Sequence, residues 1–198
     1  MKAVRRVEGR VAVLDRADVD TDQIMPKQFL KRIERTGYGE FLFFDWRKDP
    51  RFELNRPEAA GAKILVTGRN FGCGSSREHA AWGLQDYGFE AVVAPSFGDI
   101  FRQNALKIGL LPIQLPAGIV RELAAEEELV VDLEACRIRT PDGHEIPFEL
   151  DEFQRHCLLN GLDEIGLTLE HEADIAAYEA AHEPPVSTTA TTTPTAAP

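Results

Sequence analysis

The chain's 198 residues, 43% of them hydrophobic, suffice for one domain with a core of its own and fall short of two. A net charge of −11, from 33 acidic against 22 basic residues with no Lys/Arg stripe, argues against nucleic acid or an anionic membrane surface as a partner. The sequence has no run of about 18 apolar residues, and Met1–Arg6 leads into charged sequence instead of an apolar signal core, so a cytoplasmic protein is expected.

In chain order, the first β-rich run is Arg10–Leu14. The acidic segment Asp18-Val19-Asp20-Thr21-Asp22-Gln23-Ile24-Met25-Pro26 follows. On composition it is an acidic turn ended by its proline, and it lacks the glycine and twelfth-position glutamate of a calcium loop. Lys27–Gly37 then sets four basic residues against one acid. A substrate with two carboxylates needs such a local reversal of charge, and a solvated basic surface is the plainer alternative.

Residues 62–115 alternate in character. Ala62–Thr67 reads as a buried strand, Gly68–Gly74 as a glycine-rich loop, Ser75–Tyr87 as a helix and Glu90–Ala94 as a second strand. A helix over Gly98–Ile108, with Gly109 in the C-terminal capping place, precedes the apolar run Leu110–Leu115. This order implies parallel strands joined by right-handed crossovers. Glu128–Leu133, Cys136–Arg139 and Glu145–Leu150 are further β-rich runs, and helices are expected at Ala117–Glu126, Asp151–Asn160 and Leu162–Ala181. The fold class expected is α/β: one domain over residues 1–183, with a compact mixed sheet or barrel flanked by helices. From Pro184 the composition is almost wholly Thr, Ala, Pro and Ser, so 184–198 reads as a disordered tail.

The segment richest in chemistry is Arg69-Asn70-Phe71-Gly72-Cys73-Gly74-Ser75-Ser76-Arg77-Glu78-His79. Gly72 and Gly74 let backbone approach a ligand closely, and the N–H groups opening a helix carry partial positive charge. Arg77 adds a planar fork matched to a carboxylate. Binding of a small acid is one reading. A capping box, with Ser75 as N-cap and Glu78 reaching back, is the other. The third glycine of a dinucleotide fingerprint and the Gly-Lys-Ser/Thr ending of a P-loop are both absent. Cys73, Cys136 and Cys157 are odd in number and widely spaced, which argues against a disulfide framework and a self-contained metal site. Pairing Cys73 with His79 as a nucleophile needs a geometry that sequence does not establish, and His79 is expected to pack or hydrogen-bond in its helix.

Gly74-Ser75-Ser76-Arg77-Glu78-His79-Ala80 resembles the signature of the swivelling domain in the aconitase superfamily. Asp18–Pro26 resembles an element that small subunits of isopropylmalate dehydratases carry near the N-terminus, and the Phe-Leu-Lys-Arg wording of the basic loop is similar to theirs. Ser96–Pro112 is similar to a strand-turn-helix stretch of the superfamily. Its apolar residues Ile100, Phe101, Ala105 and Ile108 recur at helical spacing, so it reads as scaffold, and Asn104 is not placed in the site.

The resemblance implies a hydro-lyase that interconverts 2- and 3-isopropylmalate in leucine biosynthesis. It implies Ser75 as base, Asp22 in a supporting catalytic role and Arg77 as the carboxylate ligand. Gly74 and Ser76 join the substrate-binding set, with Leu30 meeting the isopropyl group and Lys31, Arg32 or Arg35 near a carboxylate. It further implies that this chain binds no metal, and that a 4Fe–4S cluster sits on a large-subunit partner completing the site around a small dicarboxylate. Homoaconitate or methyl-substituted malates stay open as substrates, and a non-catalytic anion-binding module is the alternative from another class.

Overall fold

In the computed structural model, which describes residues 1–32, 34 and 36–182, the strand–helix alternation of the central sequence is present nearly as read. Met1–Asp163 form one compact unit. It comprises β1 (Arg6–Leu14), α1 (Thr21–Ile24), β2 (Ile64–Thr67), α2 (Glu78–Tyr87), β3 (Ala91–Ala94), α3 (Asp99–Ile108) and β4 (Leu111–Gln114). After these come α4 (Ala117–Leu123), β5 (Glu128–Asp132), β6 (Arg137–Arg139), β7 (Glu145–Pro147) and α5 (Glu152–Asn160). The second unit, from Glu164, holds α6 (Glu164–Leu169) and α7 (Glu172–Ala181). Arg35 and the tail 184–198 lie outside the described residues. Among the described residues no helix is long and apolar enough to cross a membrane.

The strands form one seven-stranded sheet in the order β4-β3-β2-β1-β5-β6-β7, the mixed α/β sheet expected. β1 is the joint: it pairs parallel with β2 (Val11 opposite Ile64) and antiparallel with β5 (Arg6 opposite Asp132). Every residue of β2 and β3 is buried, as strands covered on both faces require. Their side chains alternate between two cores. Leu65, Val92 and Ala94 face a cluster with Phe71, Leu84 and Phe101, while Ile64, Val66, Ala91 and Val93 face one with Leu106, Leu123 and Leu158.

Two helix boundaries differ from the sequence reading. The helix expected from Ser75 begins at Glu78, because Gly74 is left-handed (φ 90°) and Arg77 is extended (φ −129°, ψ 106°), so helical dihedrals cannot start earlier. The helix expected over Leu162–Ala181 is two helices, broken where Glu170-His171-Glu172 would place acids at the negative end of α6.

Candidate active site

The loops after β1, β2 and β3 leave the same edge of the sheet, at the carboxyl ends of adjacent parallel strands, where α/β proteins place ligands. Backbone bonds zip the three together. The N–H of Asp18 donates to Arg69 C=O (2.9 Å), that of Gly72 to Val19 (2.8 Å) and that of Thr21 to Cys73 (2.9 Å). On the other side Phe71 N–H donates to Ser96 C=O (3.1 Å) and Gly98 N–H to Phe71 C=O (2.9 Å). Such close approach depends on two glycines with positive φ. A Cβ on Gly72 would run into the Phe101 ring, and one on Gly74 into the Asp20 carboxylate.

Asp20 heads α1 in a capping box: its carboxylate accepts from Asp22 N–H (2.6 Å), and Gln23 Oε1 accepts from Asp20 N–H (2.9 Å). The Asp-x-x-Gln spacing that carries this box stands in the sequence in the same form as the Ser-x-x-Glu one. With α1 fixed, the Thr21 hydroxyl donates to Ser75 C=O (2.9 Å), and Asp22 faces the serine turn. Arg77 Nη1 donates to Asp22 Oδ1 and approaches Met25 C=O at 3.4 Å. The Arg77 side chain is 15% exposed and that of Asp22 50%, so the pair opens to solvent on the carboxylate side. The acidic segment and the glycine-serine turn, 55 residues apart, thus converge on one ion pair.

A second clasp, for which the sequence carries no local signal, joins the loops after β1 and β2. Asp18 and Asn70 both have φ of 56°, and Asn70 Nδ2 donates to Asp18 Oδ1 at 2.9 Å. Arg69 Nη2 also meets Asp18 Oδ2 at 2.9 Å. Asn and Asp are the residues whose short polar side chains tolerate the left-handed region, and such dihedrals concentrate at functional sites.

Ser75 and Ser76 are exposed, and neither caps α2. The helix has Arg77 in the N-cap position with no side-chain cap bond, so the capping-box reading of Ser75 and Glu78 fails here. Ala80 N–H, in the first turn of α2, donates to Arg77 C=O (3.3 Å), while the N–H groups of Glu78 and His79 take no side-chain cap and open the helix next to the exposed serine pair. Cys73, by contrast, is poorly suited to nucleophilic work. Burial, then the charges of Asp20 and Asp18, push its thiol pKa up. His79 packs its ring against Tyr38 (5.1 Å between centroids) and Trp82 (4.6 Å), as expected of a packing residue. Burial holds its pKa below the usual imidazole value, with Arg77 adding to the effect and Glu78 opposing it.

The basic loop starts where Arg77 holds Met25. Lys27–Phe29 form a 3-10 turn, with Phe29 stacked on Phe41 (4.1 Å), and Leu30 is half-buried against the same core cluster. Lys31 is exposed. Arg32 is engaged: it meets Glu34 (3.6 Å) and Glu40 (3.4 Å) and lies 5.0 Å over the Phe41 ring.

The three cysteines are free thiols: Cys73 in the turn, Cys136 between β5 and β6, and Cys157 on α5. Cys157 is buried and Cys136 half-buried. Among the described residues no three His, Cys, Asp or Glu side chains are grouped so that they could hold a metal ion.

Residues 1–118 match the aconitase C-terminal domain, a span that includes Asp22 and the whole serine turn. Residues 120–152 match the LeuD_N model, and 164–184 match the C-terminal domain of 3-isopropylmalate dehydratase small subunits. The 3-isopropylmalate dehydratase small subunit of Rubrobacter xylanophilus is 56% identical over 185 residues, covering 90% of this chain and 94% of that one. Its counterpart in Geobacillus kaustophilus is 56% identical over 195 residues, covering 93% and 99%. Among solved structures, the 3-isopropylmalate dehydratase of Methanocaldococcus jannaschii superposes with a TM-score of 0.67 at 26% identity, covering 87% of this chain and 99% of that one. With a domain model matching more than half its length and relatives above 50% identity over nine-tenths of it, this chain belongs to the family of 3-isopropylmalate dehydratase small subunits.

Proposed function

We propose that this chain supplies the proton-abstracting half of a split active site interconverting 2- and 3-isopropylmalate, with Ser75 as the base. The observation that carries this reading is the uncapped N-terminus of α2 beside an exposed serine pair. A hydroxyl is a weak base unless positive charge stabilises its deprotonated form. The first-turn N–H groups of α2 and the Arg77 guanidinium supply that charge. Because Asp22 and Met25 both engage Nη1, the Nε and Nη2 edge of Arg77 receives the substrate carboxylate, with Gly74 and Ser76 lining the same turn. Asp22 is a positioning residue that holds the fork in that orientation. Leu30 and Lys31 form the side that reads the substituent and second carboxylate, while Arg32 serves chiefly to hold the loop through Glu34 and Glu40.

The departing hydroxide is handled on the large subunit, to which the 4Fe–4S cluster is assigned in this reading. The isolated chain is then inactive, and anaerobic mixing with a cluster-loaded large subunit produces turnover. Ser75→Ala lowers kcat by roughly 1,000-fold or more, the loss expected for a positioned base and its hydrogen bonds, with unfolding unchanged. Arg77→Lys keeps the charge but loses the fork and raises KM. Turnover by the isolated chain, or a Ser75→Ala complex with wild-type kcat, overturns the assignment.

A further inference from the structure

Six large apolar side chains are exposed in the described chain, and four of them fall within fourteen residues: Ile165 (71%), Leu169 (58%), Ile175 (38%) and Tyr178 (65%). Ile165 and Leu169 are four apart on α6, and Ile175 and Tyr178 three apart on α7, so each pair stands on one helix face. All ten residues of α7 are exposed. A ten-residue helix is below the length that holds together in water without a packed face, about 12 to 15 residues. Its stability therefore has to come from a surface that covers it. The segment is also one-sided in charge: residues 164–182 contain Glu164, Glu170, Glu172, Asp174 and Glu179 and no Lys or Arg. A second copy of this chain, itself at −11, would bring like charge to the contact, which disfavours self-association.

We propose that α6–α7 is the segment by which this chain docks on the large subunit, seating these four side chains in an apolar groove rimmed by Lys and Arg; this rests on the two-subunit reading above. The mode is that of a helix laid in a groove, with apolar anchors giving affinity and the acidic flanks giving association rate and orientation. The serine turn and the docking segment then lie in separate units of the chain, so binding and chemistry are separable by substitution.

The test uses the full chain and the purified large subunit. The triple variant Ile165→Ser/Leu169→Ser/Tyr178→Ser weakens the Kd, measured by calorimetry, by roughly 100-fold or more, as loss of several interface anchors does. At saturating large subunit its turnover returns to the wild-type rate. Amides of residues 164–182 exchange with solvent in the free chain and become protected in the complex. Replacing Glu170, Glu172, Asp174 and Glu179 by their amides slows association roughly tenfold or more at low salt and flattens its salt dependence. Ser75→Ala, tested alongside, binds as wild type does but does not turn over. If the wild-type chain fails to bind the large subunit, the two-subunit reading itself fails. If wild type binds and the triple variant binds equally well, the docking proposal alone is overturned. It is overturned too if the variant lowers the melting temperature of the free chain by several degrees, since the segment then packs on its own chain. A wild-type homodimer that the variant dissociates does the same.

Discussion

Gly74→Ala tests the loop clamp from which the proposed chemistry hangs. Gly74 has φ of 90°, a region that costs an L-residue about 1–2 kcal/mol. Its new methyl would also meet the Asp20 carboxylate, whose release from Asp22 N–H forfeits a helix-cap bond worth about 1 kcal/mol. The combined cost is about 2–3 kcal/mol, a sizeable share of the roughly 5–15 kcal/mol that holds a domain folded. In a unit of this size that corresponds to a fall in melting temperature of roughly 5–10 °C. Because α1 carries Asp22, and Asp22 orients Arg77, a displacement of about 1 Å at the turn lowers turnover by roughly 100-fold. Urea unfolding followed by circular dichroism gives the first number, and the reconstituted assay gives the second. Asp20→Ala provides the control: once the carboxylate is gone the added methyl has less to strike, so the double variant is milder than the sum of the singles. Strict additivity, or a Gly74→Ala cost below about 1 kcal/mol with full turnover, refutes the clamp.

Asp22→Asn keeps an acceptor for Arg77 but removes the charge. With Asp22 half-exposed, stability changes by less than about 1 kcal/mol, while KM rises; a large loss of stability with unchanged KM would make the pair merely structural. At the Asp18–Asn70 clasp, Asn70→Ala loses the 2.9 Å bond and occupies φ of 56° at a cost of about 1–2 kcal/mol in all, whereas Asn70→Gly is milder by about 1 kcal/mol. Urea midpoints in the opposite order would refute strain at this position. His79 has its folded pKa held below the unfolded value near 6.5, mainly by burial, so between those values the unfolded chain binds the extra proton. Its contribution to stability is therefore complete above pH 6.5 and is lost as pH falls to the folded pKa. His79→Phe, which keeps a ring against Tyr38 and Trp82, flattens the stability profile over that window, and an unchanged slope would show that His79 does not titrate there. Leu30→Ala lowers kcat/KM for isopropylmalate by roughly 10- to 100-fold relative to an unbranched analogue, the range set by a few methylenes in an apolar contact. Equal losses on both substrates would remove Leu30 from the specificity surface.

The parallel half of the sheet was legible because fully buried strands leave unbroken apolar runs, as in Ile64–Thr67 and Ala91–Ala94, and because glycines at 88 and 109 close their helices in left-handed C-caps. The helix starts were less legible. Ser75-Ser76-Arg77-Glu78 has the wording of a capping box, yet Thr21 takes the Ser75 carbonyl and Arg77 lies extended, contacts made by residues more than fifty positions away. Local pattern carries no information about such partners. The same held for Asp20, which composition placed in a plain acidic turn and which in fact both caps α1 and restricts position 74 to glycine.

The failure of the capping box bears on function. A serine that satisfies its own helix has its oxygen committed as an acceptor to backbone N–H, and serving as a base would first require breaking that bond. Asp20 and Gln23 cap α1, Thr21 ties the turn through the Ser75 carbonyl, and the Ser75 hydroxyl makes no capping bond to α2. The α2 amides are likewise left without a side-chain acceptor from their own helix start. An unfilled helix terminus is an unfavourable local choice, at about 1 kcal/mol for the missing cap, and such departures from local consistency are where functional sites are expected. The cost is offset when an anion arrives, so the same vacancy that weakens the helix start strengthens the binding of a carboxylate or an alkoxide beside it.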